Sequence, residues 1–213
     1  MINILVTGAN GQLGQSFQYW APDFVDFKFF FCDLPELNLL YHKQLEYFFQ
    51  STTIDIVINC AAFTAVDQAE DYPEVAEKLN SVAIDALCKL SKNYGFKLIH
   101  FSTDYVFDGK SYEPYKESDH LSPIGVYGQT KAKGEAVILS AGIDGWIIRT
   151  SWLFSPYRKN FVKTIFSLLQ NKAEINVVAD QTGSPTYALD LAASTLKALN
   201  QNPIFNGVKV YHY

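Results

Sequence analysis

Ile2-Asn3-Ile4-Leu5-Val6-Thr7-Gly8-Ala9-Asn10-Gly11-Gln12-Leu13-Gly14 opens the chain. Ile2–Val6 is apolar and rich in branched residues, and reads as a core strand. It runs straight into a glycine turn, and Leu13 to about Tyr19 then reads as a helix. Strand, glycine turn and helix in that order make a glycine pattern a candidate dinucleotide site. One glycine permits the tight turn, another lets a diphosphate approach the backbone, and a third lets helix and strand pack closely. The anion is expected on the helix N-terminus, where free N–H groups and the helix dipole favour negative charge. The spacing of Gly8, Gly11 and Gly14 is GxxGxxG rather than GxGxxG.

The same rhythm continues outward from this stretch. Apolar runs at Phe27–Phe31, Ile54–Asn59, Lys97–Phe101, Trp146–Arg149, Ile175–Val178 and Val208–His212 read as further strands. Between them, Leu45–Phe49, Pro73–Lys92, Phe161–Leu169 and Ala188–Leu199 read as helices. In the longest, Val75, Leu79, Val82, Ala86 and Leu90 fall at helical spacing. Alternating strands and helices, with strands apolar on both faces, predict an α/β fold: a Rossmann-like, doubly wound parallel sheet with helices on both faces. Asp104–Tyr127 breaks the rhythm as a long loop rich in Gly, Pro, Ser, Asp and Tyr, and loops of that length in a compact domain usually carry function.

Two further positions suit the dinucleotide. Asp33 ends the second strand, where an acid can bind the adenosine ribose hydroxyls, although an acid at a strand end is also common without a ligand. No Arg or Lys follows it closely, which tilts the residue-level reading towards NADH over NADPH. Ala61-Ala62-Phe63-Thr64 follows the third strand at the carboxyl edge of the sheet, where small residues let a cofactor lie close.

Tyr127-Gly128-Gln129-Thr130-Lys131 sets a phenol and an ammonium four residues apart, so a helix there puts both on one face. A ketone reduced by hydride must receive a proton, and a free tyrosine, with a pKa of about 10, exchanges one reluctantly at neutral pH. A nearby lysine is expected to lower that pKa and to hold the nicotinamide ribose. This pattern is common by chance and gains weight from following a glycine loop and a fourth strand. Thr103, at the end of that strand, can orient a substrate carbonyl or simply cap a turn. Ser102 points to the opposite face. His100, on the strand itself, reads as a packed core residue rather than an acid or base.

With 213 residues, 48% of them hydrophobic and 18% charged, the chain suits one α/β domain with a full core. A net charge of −5 without a basic run argues against nucleic acid as a partner. Cys32, Cys60 and Cys88 are far apart and read as reduced packing residues. No His/Cys/Asp cluster suggests a metal. No leader before the first strand and no membrane-length apolar run are apparent, so a soluble cytoplasmic protein is expected.

Over nearly its whole length the chain resembles the dTDP-4-dehydrorhamnose reductase family of extended short-chain dehydrogenases. The resemblance rests on ILVTGANGQLGQ, NCAAFTAVDQAE, HFSTDYVFDG, PIGVYGQTKAKGE, IIRTSWLFSP, NFVKTI and VVADQTGSPTYALDLA, in that order. It implies reduction of a dTDP-linked 4-keto sugar by NADPH or NADH, with Tyr127 as proton donor and Lys131 and Thr103 assisting. Gly11, Gln12 and Leu13 would line the cofactor diphosphate. Asp33 would meet the adenosine ribose, Asn38 and Leu39 the adenine, and Ala62, Phe63 and Thr64 the middle of the cofactor. Asn38 replaces the family's usual Asp. Thr103, Asp104 and Trp152 would contact the sugar nucleotide, although Trp152 read alone could equally be core.

Family members continue for several tens of residues beyond the last strand, forming much of a lid over the sugar nucleotide. The expectation is therefore a cofactor domain over 1–213 with part of the substrate region near 150–187, the lid absent and the substrate subdomain incomplete. Some members dimerise through a magnesium ion held by glutamates; Leu189 stands where the first would be, so no such metal is expected, and the chain would be a monomer or homodimer. The resemblance leaves room for a non-catalytic regulatory protein that keeps the cofactor fold, or for another nucleotide-sugar enzyme such as an epimerase.

Overall fold

A computed structural model describes residues 1–177 and 181–213. Strand β1 (Ile2–Thr7) is followed by helix α1 (Gln12–Trp20), strand β2 (Phe27–Cys32), helix α2 (His42–Ser51) and strand β3 (Ile56–Asn59). Helices α3 (Val66–Asp71) and α4 (Pro73–Glu77) lead through a π-helical turn, Lys78–Val82, into α5 (Ala83–Tyr94). Strand β4 (Lys97–Thr103), helix α6 (Val126–Ser140), strand β5 (Gly145–Thr150), and two short strands around helix α7 follow. These are β6 (Leu153–Phe154), α7 (Phe161–Asn171) and β7 (Thr186–Tyr187). Helix α8 (Ala188–Asn200) and strand β8 (Val208–His212) end the described chain.

The main sheet has six strands in the order β2-β1-β3-β4-β5-β8, all parallel. From β1 the chain steps outward to β2 and then returns to lay β3 on the other side of β1. That reversal opens a crevice at the carboxyl ends of β1 and β3, where open α/β sheets bind their ligands. Burial on both faces explains why the strands read as continuous apolar runs. On one face Leu5, Val57, Leu98 and Ile147 pack on Leu45 and Phe49 of α2, Ile84 and Leu87 of α5, and Ile138 of α6. On the other, Ile4, Ile58, Ile99 and Ile148 pack on Leu13 and Phe17 of α1 and on Leu191 and Leu196 of α8.

Three expectations need correction. The stretch Pro73–Lys92 is not one α-helix, because the π turn inserts a residue and rotates the buried face. Val75 and Val82 are 44% and 53% exposed, while Ala76, Asn80, Ala83, Ile84 and Leu87 face inward. Contact with α6 is too close for a valine stripe: a Cβ on Gly134 would lie 2.2 Å from the Asn80 carbonyl. The long loop ends earlier than expected, since α6 takes in Tyr127, and it begins with a 3-10 turn over Asp104–Val106. No strand forms over Ile175–Val177, and Val178 lies outside the described residues. Asp180, where the DQTGSPT run begins, lies outside them too.

Candidate active site

The glycine turn is shaped by contacts that exclude side chains. Gly8 has φ +64°, and a Cβ there would lie 2.5 Å from the backbone N of Ala61. A Cβ on Gly14 would lie 2.4 Å from the Gly8 carbonyl, so α1 starts hard against the end of β1. Gly11 is different: a Cβ there would meet only the Gly8 carbonyl, at 3.2 Å, so this glycine leaves the turn open. Gly11 is the N-cap of α1, which has no side-chain cap, and the first-turn amides of Gln12, Leu13 and Gly14 are those an α-helix leaves for an anion. Two packed glycines and one open one are the cradle a diphosphate needs, and these residues fit a dinucleotide.

Of the other cofactor candidates, Asp33 meets this turn directly, and the rest sit on the segments after β2 and β3. Asp33 accepts the N–H of Asn10 and the N–H of Leu34, each at 2.8 Å, so it braces the turn. Asn38 caps its own loop by accepting the Leu40 N–H. Leu39 packs in the core with Leu37 and Leu45, which leaves only its backbone for an adenine. Phe63 is pinned at both backbone atoms: its N–H donates to Asn80 Oδ1 at 2.9 Å and its carbonyl accepts from Asn80 Nδ2 at 3.1 Å. Ala62 and Thr64 flank it on the same loop. Asn80 also donates to Thr130 Oγ1 on α6, joining the cofactor loop to the helix that carries Tyr127 and Lys131.

The catalytic candidates fall into two neighbouring groups. Thr103, Asp104 and Tyr127 form the first. Thr103 Oγ1 donates to Asp104 Oδ1 at 3.0 Å and accepts the Tyr105 N–H at 3.2 Å, so its hydroxyl caps the turn that follows β4. Burial pushes the Tyr127 phenol up to about 12, with the Thr103 hydroxyl acting against it and the Asp104 carboxylate adding to it. The same burial raises Asp104 itself. The expectation that Lys131 lowers the phenol is not met. Lys131 forms the second group, 2% exposed, with Nζ donating to the Phe101 carbonyl at 2.6 Å and 3.1 Å from His100 Nε2. Burial lowers the lysine to about 8, and the Glu135 carboxylate and Cys60 thiol partly restore it. His100 is thus a core residue, as expected, but one in contact with the candidate lysine. Ser102 does turn away, and its buried hydroxyl has no partner among the described residues.

Trp152 is not core. It is 39% exposed, has φ +46°, and its indole lies where a Cβ on Gly183 would come within 2.7 Å. A bulky residue in that left-handed conformation carries strain, and such strain concentrates at ligand sites. Sequence reading missed the segment packed over the glycine turn. Ser155 and Asn160 both donate to Gln12 Oε1 at 3.0 Å, and Arg158 Nε donates to the Asn10 carbonyl at 2.7 Å. No local signal marks these residues, since their partners lie more than 140 positions away.

The RmlD substrate binding domain model matches residues 2–213. The chain belongs to this family. A dTDP-4-dehydrorhamnose reductase from Aggregatibacter actinomycetemcomitans is 37% identical over all of this chain and 73% of its own length. Bacillus subtilis spore coat polysaccharide biosynthesis protein SpsK is 38% identical over 95% of this chain and 71% of its own. Among solved structures, the Bacillus anthracis dTDP-4-dehydrorhamnose reductase in complex with NADP superposes with a TM-score of 0.93 at 37% identity, covering all of this chain and 74% of that one. A Streptomyces venezuelae dTDP-glucose 4,6-dehydratase superposes at 0.85 with 19% identity, a likeness of fold alone. As a member of the RmlD family, the chain has the Rossmann-type sheet that its strand order shows directly. Among the described residues no helix is long and apolar enough to cross a membrane.

Proposed function

We propose that this protein reduces the 4-keto group of dTDP-4-dehydro-L-rhamnose to give dTDP-L-rhamnose, using NADPH or NADH. The observation that carries this reading is Tyr127 and Lys131 one turn apart on α6, with Thr103 at the end of β4 on the same carboxyl edge of the parallel sheet as the glycine turn that follows β1. The reduced nicotinamide supplies the hydride. Tyr127, protonated throughout the neutral range, gives its phenolic proton to the C4 oxygen, and the Thr103 hydroxyl, turned from Asp104 when substrate binds, holds that oxygen in place. Gln12 and Leu13 present backbone amides to the diphosphate beside the open Gly11, whose own N–H is held by the Gly8 carbonyl, and Asp33 accepts from the ribose. Asp104 and Trp152 are assigned to the sugar nucleotide, and Ala62, Phe63 and Thr64 to the middle of the cofactor.

Lys131, still cationic below pH 8, is assigned to the nicotinamide ribose. The three free cysteines suit a reducing compartment, in keeping with cytoplasmic work as a monomer or homodimer. The test is oxidation of NADPH or NADH by dTDP-4-dehydrorhamnose, wild type against Tyr127→Phe. Turnover is expected to fall by about 10²–10⁴ in the variant, with cofactor affinity retained. Turnover that survives the substitution overturns the role given to Tyr127.

A further inference from the structure

Behind the active site a line of buried polar side chains crosses three adjacent strands and ends on the candidate lysine. The Thr7 hydroxyl on β1 lies 2.6 Å from the side-chain amide of Asn59 on β3. That amide lies 3.0 Å from Nδ1 of His100 on β4, and His100 Nε2 lies 3.1 Å from Lys131 Nζ. All four side chains are 1–2% exposed. Polar groups buried so deeply persist only when their hydrogen bonds are satisfied, and packing alone would be served better here by leucine.

An ammonium has three donors and no acceptor, so its partner at 3.1 Å must accept. A buried imidazole beside a cation stays neutral, and burial followed by the Lys131 charge lowers His100 well below its ordinary value. Asn59 Oδ1 accepts from Thr7 and its Nδ2 faces Nδ1 of His100. A neutral ring that offers Nε2 to the lysine carries its proton on Nδ1, which requires the amide turned over, oxygen to the ring and NH₂ to Thr7. With the Phe101 carbonyl taking a second proton, one N–H of Lys131 is left for the ribose.

We propose that His100, braced by Asn59, is a positioning residue that holds the Lys131 ammonium charged and aimed for the reduction. The role rests on the function proposed above. The other titratable groups around Lys131 are Cys60 at the end of β3, Glu135 one turn along α6, and Tyr127 one turn back. Arg149 on β5 is taken up by Glu135, at 2.7 Å.

Lysine labelled with ¹³C at Cε, followed by NMR from pH 6 to 11 in the whole protein without substrate, tests this. Lys131→Met identifies the resonance. The wild-type midpoint is expected near 8. His100→Phe keeps a planar ring and removes the acceptor, and should lower the midpoint by about one pH unit. His100→Gln returns an acceptor and should recover most of that shift. The alkaline limb of kcat/KM should move in parallel. Should His100→Phe fail to fold, Asn59→Ala carries the test, with a smaller shift in the same direction.

An unmoved Lys131 midpoint in a variant with wild-type melting overturns the proposal, and so does a shift that His100→Gln leaves unrepaired. Because the resonance is read without substrate, a protein that shows these shifts but turns over no sugar nucleotide retains the His100–Lys131 contact and loses the proposed reduction instead.

Discussion

Single atoms decide the cofactor turn. At Gly14 one added methyl would come within 2.4 Å of the Gly8 carbonyl and 2.6 Å of Ala9 Cα, backbone atoms that cannot swing aside. Gly14→Ala is therefore expected to cost about 1–3 kcal/mol by overpacking and to abolish cofactor binding, measured by thermal melting with and without NADPH. Gly11→Ala meets one oxygen at 3.2 Å, so it should fold normally and bind the cofactor more weakly, because the methyl enters the space the diphosphate needs. A Gly11→Ala protein with wild-type affinity would show that the anion does not rest there. The glycine spacing was legible in the sequence because backbone constraints of this kind can be met by one residue type only. Asp33 was half legible: its position at the strand end was clear, but its grip on the Asn10 N–H was not.

Among the elements, the π turn at Lys78–Val82 has the largest consequence for the site. It brings Asn80 inward, 1% exposed, to hold both backbone atoms of Phe63 and the Thr130 hydroxyl. Asn80→Ala leaves buried partners unsatisfied and is expected to cost roughly 2–4 kcal/mol. Hydrogen exchange should quicken at Phe63, and the Michaelis constant for the cofactor should rise more than kcat falls. Equal exchange at Phe63 in variant and wild type would count against this coupling. Helical periodicity could not reveal the turn, since one inserted residue shifts the buried face without altering composition. The spacing of Tyr127 and Lys131 was readable, yet their environments were not: β4 draws the lysine to the Phe101 carbonyl and leaves the phenol with Thr103.

For the whole molecule, buried charge dominates the response to pH and to mutation. Arg149 and Glu135, 5% and 0% exposed, join β5 to α6 at 2.7 Å. Breaking the pair with Glu135→Gln strands a buried guanidinium and should cost about 3–5 kcal/mol, read from urea unfolding. Replacing both partners with Met should recover most of that loss, because the desolvation cost disappears with the charges. Lys131 has a folded pKa of about 8, below the unfolded value. Between roughly pH 8 and 10.5 this group therefore binds more protons in the unfolded chain, and its own contribution to stability rises with pH. The contributions of Cys60, Cys88 and Tyr127, which burial raises, are opposite in sign. Relative to Lys131→Met, the wild type should gain up to ~3 kcal/mol across that window. No gain relative to the variant would mean that the lysine is not buried as a cation.

The sequence by itself determined the alternation of strands and helices, the glycine turn, and the candidate tyrosine, lysine and threonine, because each depends on local spacing or on a backbone demand met within a few residues. Only the tertiary structure decided which side chains meet. The strand order sets β3 between β1 and β4, and so assembles Thr7, Asn59, His100 and Lys131 into one line. The close approach of α6 to the π turn seats Asn80 on the cofactor loop, and folding back of residues 155–160 covers the glycine turn. Partners brought together across 31 to 148 positions leave no trace in local pattern, because nothing fixes their distance until the sheet has formed.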